Sequence, residues 1–190
     1  MTCPICGFGG KFRPYRNRPR ARCPQCRSLE RHRKQFLIAK SHGLVPPPEG
    51  WSILHCAPEA CVTRFLKSLG RVTLGMNQPG VDVDGDLRSL TFPDDHFDLV
   101  WASHVLEHIL EIKQAVREIH RVMKPGGWAI LDVPMSGTPT IRVQPTPRNH
   151  FHFWQPGPDW VHHYTDAGLV VVEQVGGITV CRKEPQPSEP

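Results

Sequence analysis

The sequence predicts an α/β protein: an open, mostly parallel sheet with helices on both faces and an antiparallel terminal hairpin, preceded by a small metal-dependent module. Three observations carry this expectation. From residue 51 onward, short apolar runs alternate with helical patterns, as in chains of strand-helix-strand units. Near the end, Leu169 to Val175 and Ile178 to Arg182 flank Gly176-Gly177, a hairpin signal. Ahead of the first strand, Cys3-Pro-Ile-Cys6 and Cys23-Pro-Gln-Cys26 form two matched knuckles sixteen residues apart. The 190 residues can fill one domain with a proper core plus an appendage.

The expected divisions are residues 1–44 for the cysteine module and its following helix, 45–50 for a stiff Pro46-Pro47-Pro48 linker, 51–182 for the sheet domain, and 183–190 for a disordered tail. In the first of these, a Cys-x-x-Cys loop lets two thiolates converge on one ion, and two such loops complete a tetrahedral sulfur site. Cys3, Cys6, Cys23 and Cys26 are therefore expected to hold Zn2+ in a closed, structural site between the short strands of a zinc ribbon. Ser28 is placed to cap a helix from Leu29 that Gly43 ends. Residues 1–40 hold eleven Lys or Arg against one acid, Glu30, so a basic head precedes a mildly acidic body. Such a head can meet RNA, an acidic substrate or the body itself. No apolar run approaches the ~20 residues of a membrane helix, and no signal-peptide core opens the chain. The expected location is the cytoplasm, where seven cysteines read as metal ligands or buried thiols.

In the sheet domain, Trp51 to Cys56 reads as a first buried strand, and Pro58-Glu59 as the start of a helix running to Leu69. Arg71 to Gly75 and Val81 to Asp84 give two more strands. Phe97 to Ala102 is the fourth, with Ser103, His104, Glu107 and His108 at its carboxyl end, where open α/β sheets bind ligands. Ile112, Ala115, Val116, Ile119 and Met123 recur at helical spacing, and Lys124-Pro125-Gly126-Gly127 reads as a hard stop. Trp128 to Val133 is the fifth strand. The long loop from Pro134 to Pro156 is expected to be functional, and Pro158 to Ala167 to form a last helix.

Residues 51–182 resemble the class I S-adenosylmethionine-dependent methyltransferases, specifically the small type 11 methyltransferase domain with its Rossmann-like sheet. The residues that carry the likeness are Gly85-Asp86-Leu87 through Phe97-Asp98, similar to that family's adenine loop and fourth strand, and Leu106-Glu107-His108 with Glu118 to Gly127, similar to its next helix and Pro-Gly-Gly stop. The cysteine knuckles and Ser28 to Arg33 look like a subgroup with an N-terminal zinc ribbon. The resemblance implies S-adenosyl-L-methionine as cofactor, with Asp86 and Leu87 at the adenine and Ser103 on the rim. Where that family has a glycine-rich loop after its first strand, this chain has His55-Cys56-Ala57-Pro58-Glu59. Ala57 is small enough for close approach but is not expected to take a positive φ. Glu59 is expected to hold the cofactor ammonium. Asn77 stands where the family has a ribose-binding acid, and an amide can both accept and donate there.

Methyl transfer asks the protein to position a nucleophile and, where needed, remove its proton. His104 on the rim and His150 and His152 in the long loop are the expected bases. His150, His152 and His162 together offer a lesser alternative, a second metal site. The expected acceptor is a small molecule or peptide, with transfer to oxygen or nitrogen. The alternatives are RNA base methylation through the basic head, and a non-catalytic zinc-ribbon binding module on a degenerate fold.

Overall fold

The computed structural model describes residues 1–66, 71–75 and 78–185. The chain forms two compact units, Met1–Gly50 with Glu59–Gly70, and Trp51–Pro58 with Arg71–Pro190. This differs from the expected division in one element. The helix after the first strand, α2 (Ala60–Leu66), groups with the N-terminal module rather than with the sheet. The reason is a polar clamp: the Glu59 carboxylate accepts hydrogen bonds from Arg31 Nη2 at 2.6 Å and His32 Nε2 at 2.7 Å.

In the first unit, β1 (Arg13–Tyr15) pairs antiparallel with β2 (Arg18–Arg22). Beside these strands Cys3, Phe12, Cys23 and Cys26 form a small buried cluster. Buried Arg33 ties it to α1 (Glu30–Ser41) by donating to the Ser28 and Ala21 carbonyls and lying 4.7 Å over the Phe12 ring. The expected Ser28 cap is displaced. Ser28 turns its hydroxyl to the Cys3 and Cys26 sulfurs, and His32 Nδ1 accepts the Leu29 N–H instead. Nor is 45–50 a bare spacer, since Val45 and Pro47 are buried.

The second unit is a seven-stranded sheet. Its strands in chain order are β3 (Ile53–Cys56), β4 (Arg71–Gly75), β5 (Val83–Asp84), β6 (Phe97–Ser103), β7 (Met123–Asp132), β10 (Leu169–Val175) and β11 (Ile178–Lys183). Across the sheet the order is β10-β11-β7-β6-β3-β4-β5. β3 is parallel to both β4 and β6, and β11 runs antiparallel between β7 and β10. Leu54, Cys56, Val100, Ala102, Ala129, Leu131 and Cys181 line one face. There they meet Ile112, Val116 and Ile119 of α3 (Ile112–Val122) and Tyr164 of the short α4 (His162–Thr165). The alternate row, Ile53, His55, Leu99, Trp101, Ile130 and Val180, is buried as well. Burial on both faces explains why these strands read as continuous apolar runs rather than alternating ones.

Several expected boundaries move. Lys124 to Gly127 is not a stop between helix and strand, because β7 starts at Met123 immediately after α3. Phe97 pairs with Met123 and Leu99 with Trp128, so the four residues bulge out of the ladder. A Cβ at Gly127 would stand 2.8 Å from the Lys124 carbonyl oxygen, which is why glycine closes the bulge. The last helix is a 3-10 turn, Pro158–Val161, leading into α4. Within the long loop, β8 (Ile141–Arg142) pairs with β9 (Trp154–Gln155). At the tail, Lys183 still belongs to β11 and donates to Asp95, while 186–190 lie outside the described residues.

Candidate functional site

From β3 the neighbouring strands run to opposite sides, β4 one way and β6 the other, so the carboxyl ends of β3 and β6 form the topological switch point of the sheet. A cavity of about 330 Å3 lies there. It is lined by Cys56 and Ala57 after β3, Gly75 at the end of β4, Gly85 and Leu87, and His104, Val105, His108 and Ile109 after β6. The volume lies at the low end for small-molecule sites, and the lining, mostly apolar with a few histidines, is typical of them.

Two of its walls hold an unusual backbone. Ala57 has φ +46° and His104 φ +52°. The reading of Ala57 as unable to take a positive φ is thus corrected. The turn out of β3 imposes the left-handed conformation although no glycine is present, at a cost of about 1–2 kcal/mol. Both strained residues face one cavity, a placement common at ligand sites. Gly75 is needed for a different reason: a Cβ there would come within 2.8 Å of Gln78 Cβ.

The expected cofactor residues divide between this cavity and elsewhere. Ala57 and Leu87 line it. His55 sits in the buried row with Ile53 and Trp101, on the opposite face from Cys56, so strand alternation turns it away. Ser103 is buried at the end of β6 opposite Asp132 and is not a lining residue. The Asp86 carboxylate is gripped by Arg88, whose Nη2 and Nε approach at 2.6 and 2.9 Å, and Arg88 also reaches Glu111 at 2.7 Å. These bonds hold the Asp86 carboxyl below the usual carboxylate range. Asn77 lies outside the described residues. Glu59 is not among the cavity's lining residues and is engaged by Arg31 and His32. Burial by itself would raise its pKa, but the hydrogen bond from His32 and the guanidinium of Arg31 prevail and hold it at about 2.

Around the β6 rim the histidines converge on Glu107, which stands at the strand's carboxyl end but is not one of the expected bases. The Glu107 side chain is fully buried, on the one-turn 3-10 helix Leu106–His108. His104 Nδ1 lies 3.5 Å from its Oε1, His152 Nε2 3.8 Å and His108 Nε2 3.9 Å. His104 Nε2 is also 3.6 Å from Asp132 Oδ2. The loop is pinned beside the rim by Phe153 N–H donating to the Glu107 carbonyl and Trp154 Nε1 to that of Ile109. His152 is half-buried, and burial lowers its pKa. His150 is exposed, with its ring centre 6.2 Å from that of His152. The ligand set imagined from His150, His152 and His162 does not form. Among the described residues the clusters with metal-ligand spacing are Glu107–His108–His152 and the four cysteines.

Those four sulfurs lie within 4.8 Å of one another, with Cys3–Cys26 and Cys6–Cys23 at 3.6 Å. A tetrahedral zinc-thiolate site with bonds near 2.3 Å has sulfur-sulfur edges of about 3.8 Å, so the donor set fits that ion. Burial, and then the neighbouring thiols, push the Cys6 thiol up to about 12.

Residues 61–131 match a family described as a methyltransferase domain. A 2-phytyl-1,4-naphtoquinone methyltransferase of Synechococcus elongatus is 41% identical over 59 residues, which are 30% of this chain and 25% of that protein. The chain thus spans about a quarter of that relative. Among solved structures, the 1,6-didemethyltoxoflavin-N1-methyltransferase of Burkholderia thailandensis, with 1,6-didemethyltoxoflavin and S-adenosylhomocysteine bound, superposes with a TM-score of 0.61 at 15% identity, covering 80% of this chain and 77% of that one. The [4+2]-cyclase SpnF superposes at 0.65 with 16% identity, covering 93% and 86%. At these identities the likeness establishes the fold.

Proposed function

We propose that this chain, a class I methyltransferase fold carrying a four-cysteine module, transfers a methyl group from S-adenosylmethionine to an oxygen or nitrogen of a small-molecule acceptor. The observation that carries the proposal is the cavity at the switch point, where Ala57, Gly75, Gly85 and Leu87 offer small or apolar walls to a nucleoside. When bound, the cofactor supplies the electrophilic methyl carbon. The chain's own residues then have two tasks, holding the acceptor in line and taking up its proton. His104 borders the cavity, with Glu107 and Asp132 near its two ring nitrogens. His152 stands on the pinned loop with its Nε2 3.8 Å from the same Glu107 carboxylate. His104 can accept a proton from a hydroxyl or amine.

Small-molecule acceptors are favoured over peptides because the cavity is confined and the named relatives act on a naphthoquinone and a toxoflavin precursor. Asp86 keeps its carboxylate on Arg88, so contact with the adenine amine would fall to the backbone of Asp86 and Leu87 or to an acceptor site left on the carboxylate. The four cysteines take one zinc ion in a structural role, with every coordination position filled by the protein. No helix among the described residues is long and apolar enough to cross a membrane.

Methyl NMR tests the assignment. S-adenosylhomocysteine should shift the methyl resonances of Leu87, Val105 and Ile109 in a saturable manner. An unchanged spectrum at millimolar ligand would overturn it.

A further inference from the structure

We propose that Glu107, His108 and His152 bind a divalent transition-metal ion at the mouth of the cavity, in a second metal site distinct from the four cysteines. Three observations converge on it.

The first is an unmet demand. Glu107 is fully buried, and neither of its carboxylate oxygens has a hydrogen-bond partner among the described residues. A carboxylate withdrawn from water needs a counter-charge or donors close by. The surrounding histidine nitrogens stand 3.5, 3.8 and 3.9 Å from Oε1, at or beyond the limit of a hydrogen bond.

The second is spacing. The ligand atoms of Glu107, His108 and His152 lie within 4.8 Å of one another, and Nε2 of both histidines approaches the same carboxylate oxygen. Ligands around an ion with bonds near 2.1 Å sit about 3.4 Å apart, so each histidine nitrogen needs to close on the carboxylate oxygen by about half an ångström. The two rings meet edge to face with centres 4.6 Å apart, which keeps them from collapsing onto each other.

The third is that the site is open on one side. The side chains of His108 and His104 are 37% and 31% exposed, and both residues line the cavity. Three protein ligands leave coordination positions vacant, with His104 near enough to become a fourth ligand or to hydrogen-bond a bound water. Two imidazoles and one carboxylate favour Mn2+, Fe2+, Co2+ or Zn2+ over Mg2+ or Ca2+. If the methyl-transfer reading holds, on which this last step rests, the vacant positions select an acceptor with a hydroxyl or enol oxygen able to ligate the ion beside the cofactor.

The test uses the full chain with its cysteine site loaded with Zn2+, titrated with Mn2+ and followed by electron paramagnetic resonance of the free ion. The expected result is uptake of a single Mn2+. Glu107→Gln, nearly isosteric, and His108→Ala, on the partly exposed side, should each weaken uptake by more than about tenfold with unchanged circular dichroism. No uptake at millimolar Mn2+, or uptake indifferent to both substitutions, would overturn the site. S-adenosylhomocysteine binding measured on the same samples separates the two readings. Metal uptake without it supports the site and removes the methyl-transfer assignment, whereas nucleoside binding without metal uptake overturns the site alone.

Discussion

Replacing Glu59 by glutamine separates two roles that the sequence leaves entangled. The likeness to methyltransferases assigns this residue to the cofactor ammonium, whereas in the structure its carboxylate clamps Arg31 and His32 on α1. Its pKa is held at about 2 against an ordinary 4.5. At 1.36 kcal/mol per unit, that depression corresponds to stability on the order of 3 kcal/mol for the charged form. The group is depressed, so the contribution is complete above pH ~4.5 and is lost as the pH falls toward ~2. Glu59→Gln keeps the shape and removes the charge, leaving Arg31 unpaired. Urea unfolding followed by far-ultraviolet circular dichroism should show a loss of about 2–3 kcal/mol at pH 7. The gap from the parent protein should close steadily between pH 4.5 and 2. Affinity for S-adenosylhomocysteine, measured by calorimetry below the unfolding transition, should change less than about twofold, or ~0.4 kcal/mol. A variant of parental stability whose affinity falls tenfold or more would refute the reasoning and return Glu59 to the cofactor.

The other predictions concern the cavity wall and the cysteines. Ala57→Gly should raise the melting temperature slightly, because relief of the left-handed backbone outweighs the added chain entropy by about 0.5 kcal/mol. Ala57→Val should instead cost about 2 kcal/mol and weaken nucleoside binding, since a β-branched residue is poorly accommodated at φ +46° and projects toward the cavity. Calorimetry of both variants checks the pair, and equal stabilities would remove the strain argument. A strong chelator should unfold β1 and β2 while leaving the sheet unit's tryptophan fluorescence intact, because all five tryptophans lie in that unit. Hydrogen exchange localises the loss, and protection persisting at Ala21 and Cys23 after metal removal would contradict it. Cys3→Ser should mimic the chelator.

How much of this was legible in the sequence depended on how local the cause was. The strand order of elements, the terminal hairpin and the paired cysteine knuckles are written in periodicity and spacing, and the sheet and the four-sulfur cluster follow them. Lys124 to Gly127 misled because a Pro-Gly-Gly run signals a break, yet pairing with β6 draws both sides of it into one strand and expels the four residues as a bulge. Ala57 misled because the rule against positive φ is a local preference that the turn out of β3 overrides. Glu59 and Glu107 were illegible for a further reason. Their partners lie far along the chain, Arg31 and His32 for one and His152 for the other, and only the folded backbone brings them within reach. The signal that remained was a lone acid in Leu106-Glu107-His108, at a place where an apolar residue would otherwise be expected to face the core.

The central claim is that the switch-point cavity holds the methyl donor. Calorimetric titration of the zinc-loaded chain with S-adenosylmethionine, in parallel with a Leu87→Trp variant that fills the cavity, tests it most directly. The account predicts one-to-one binding by the parent protein and none by the variant, with both folded. Absence of heat from the parent at millimolar ligand, or equal binding by the variant, would contradict it.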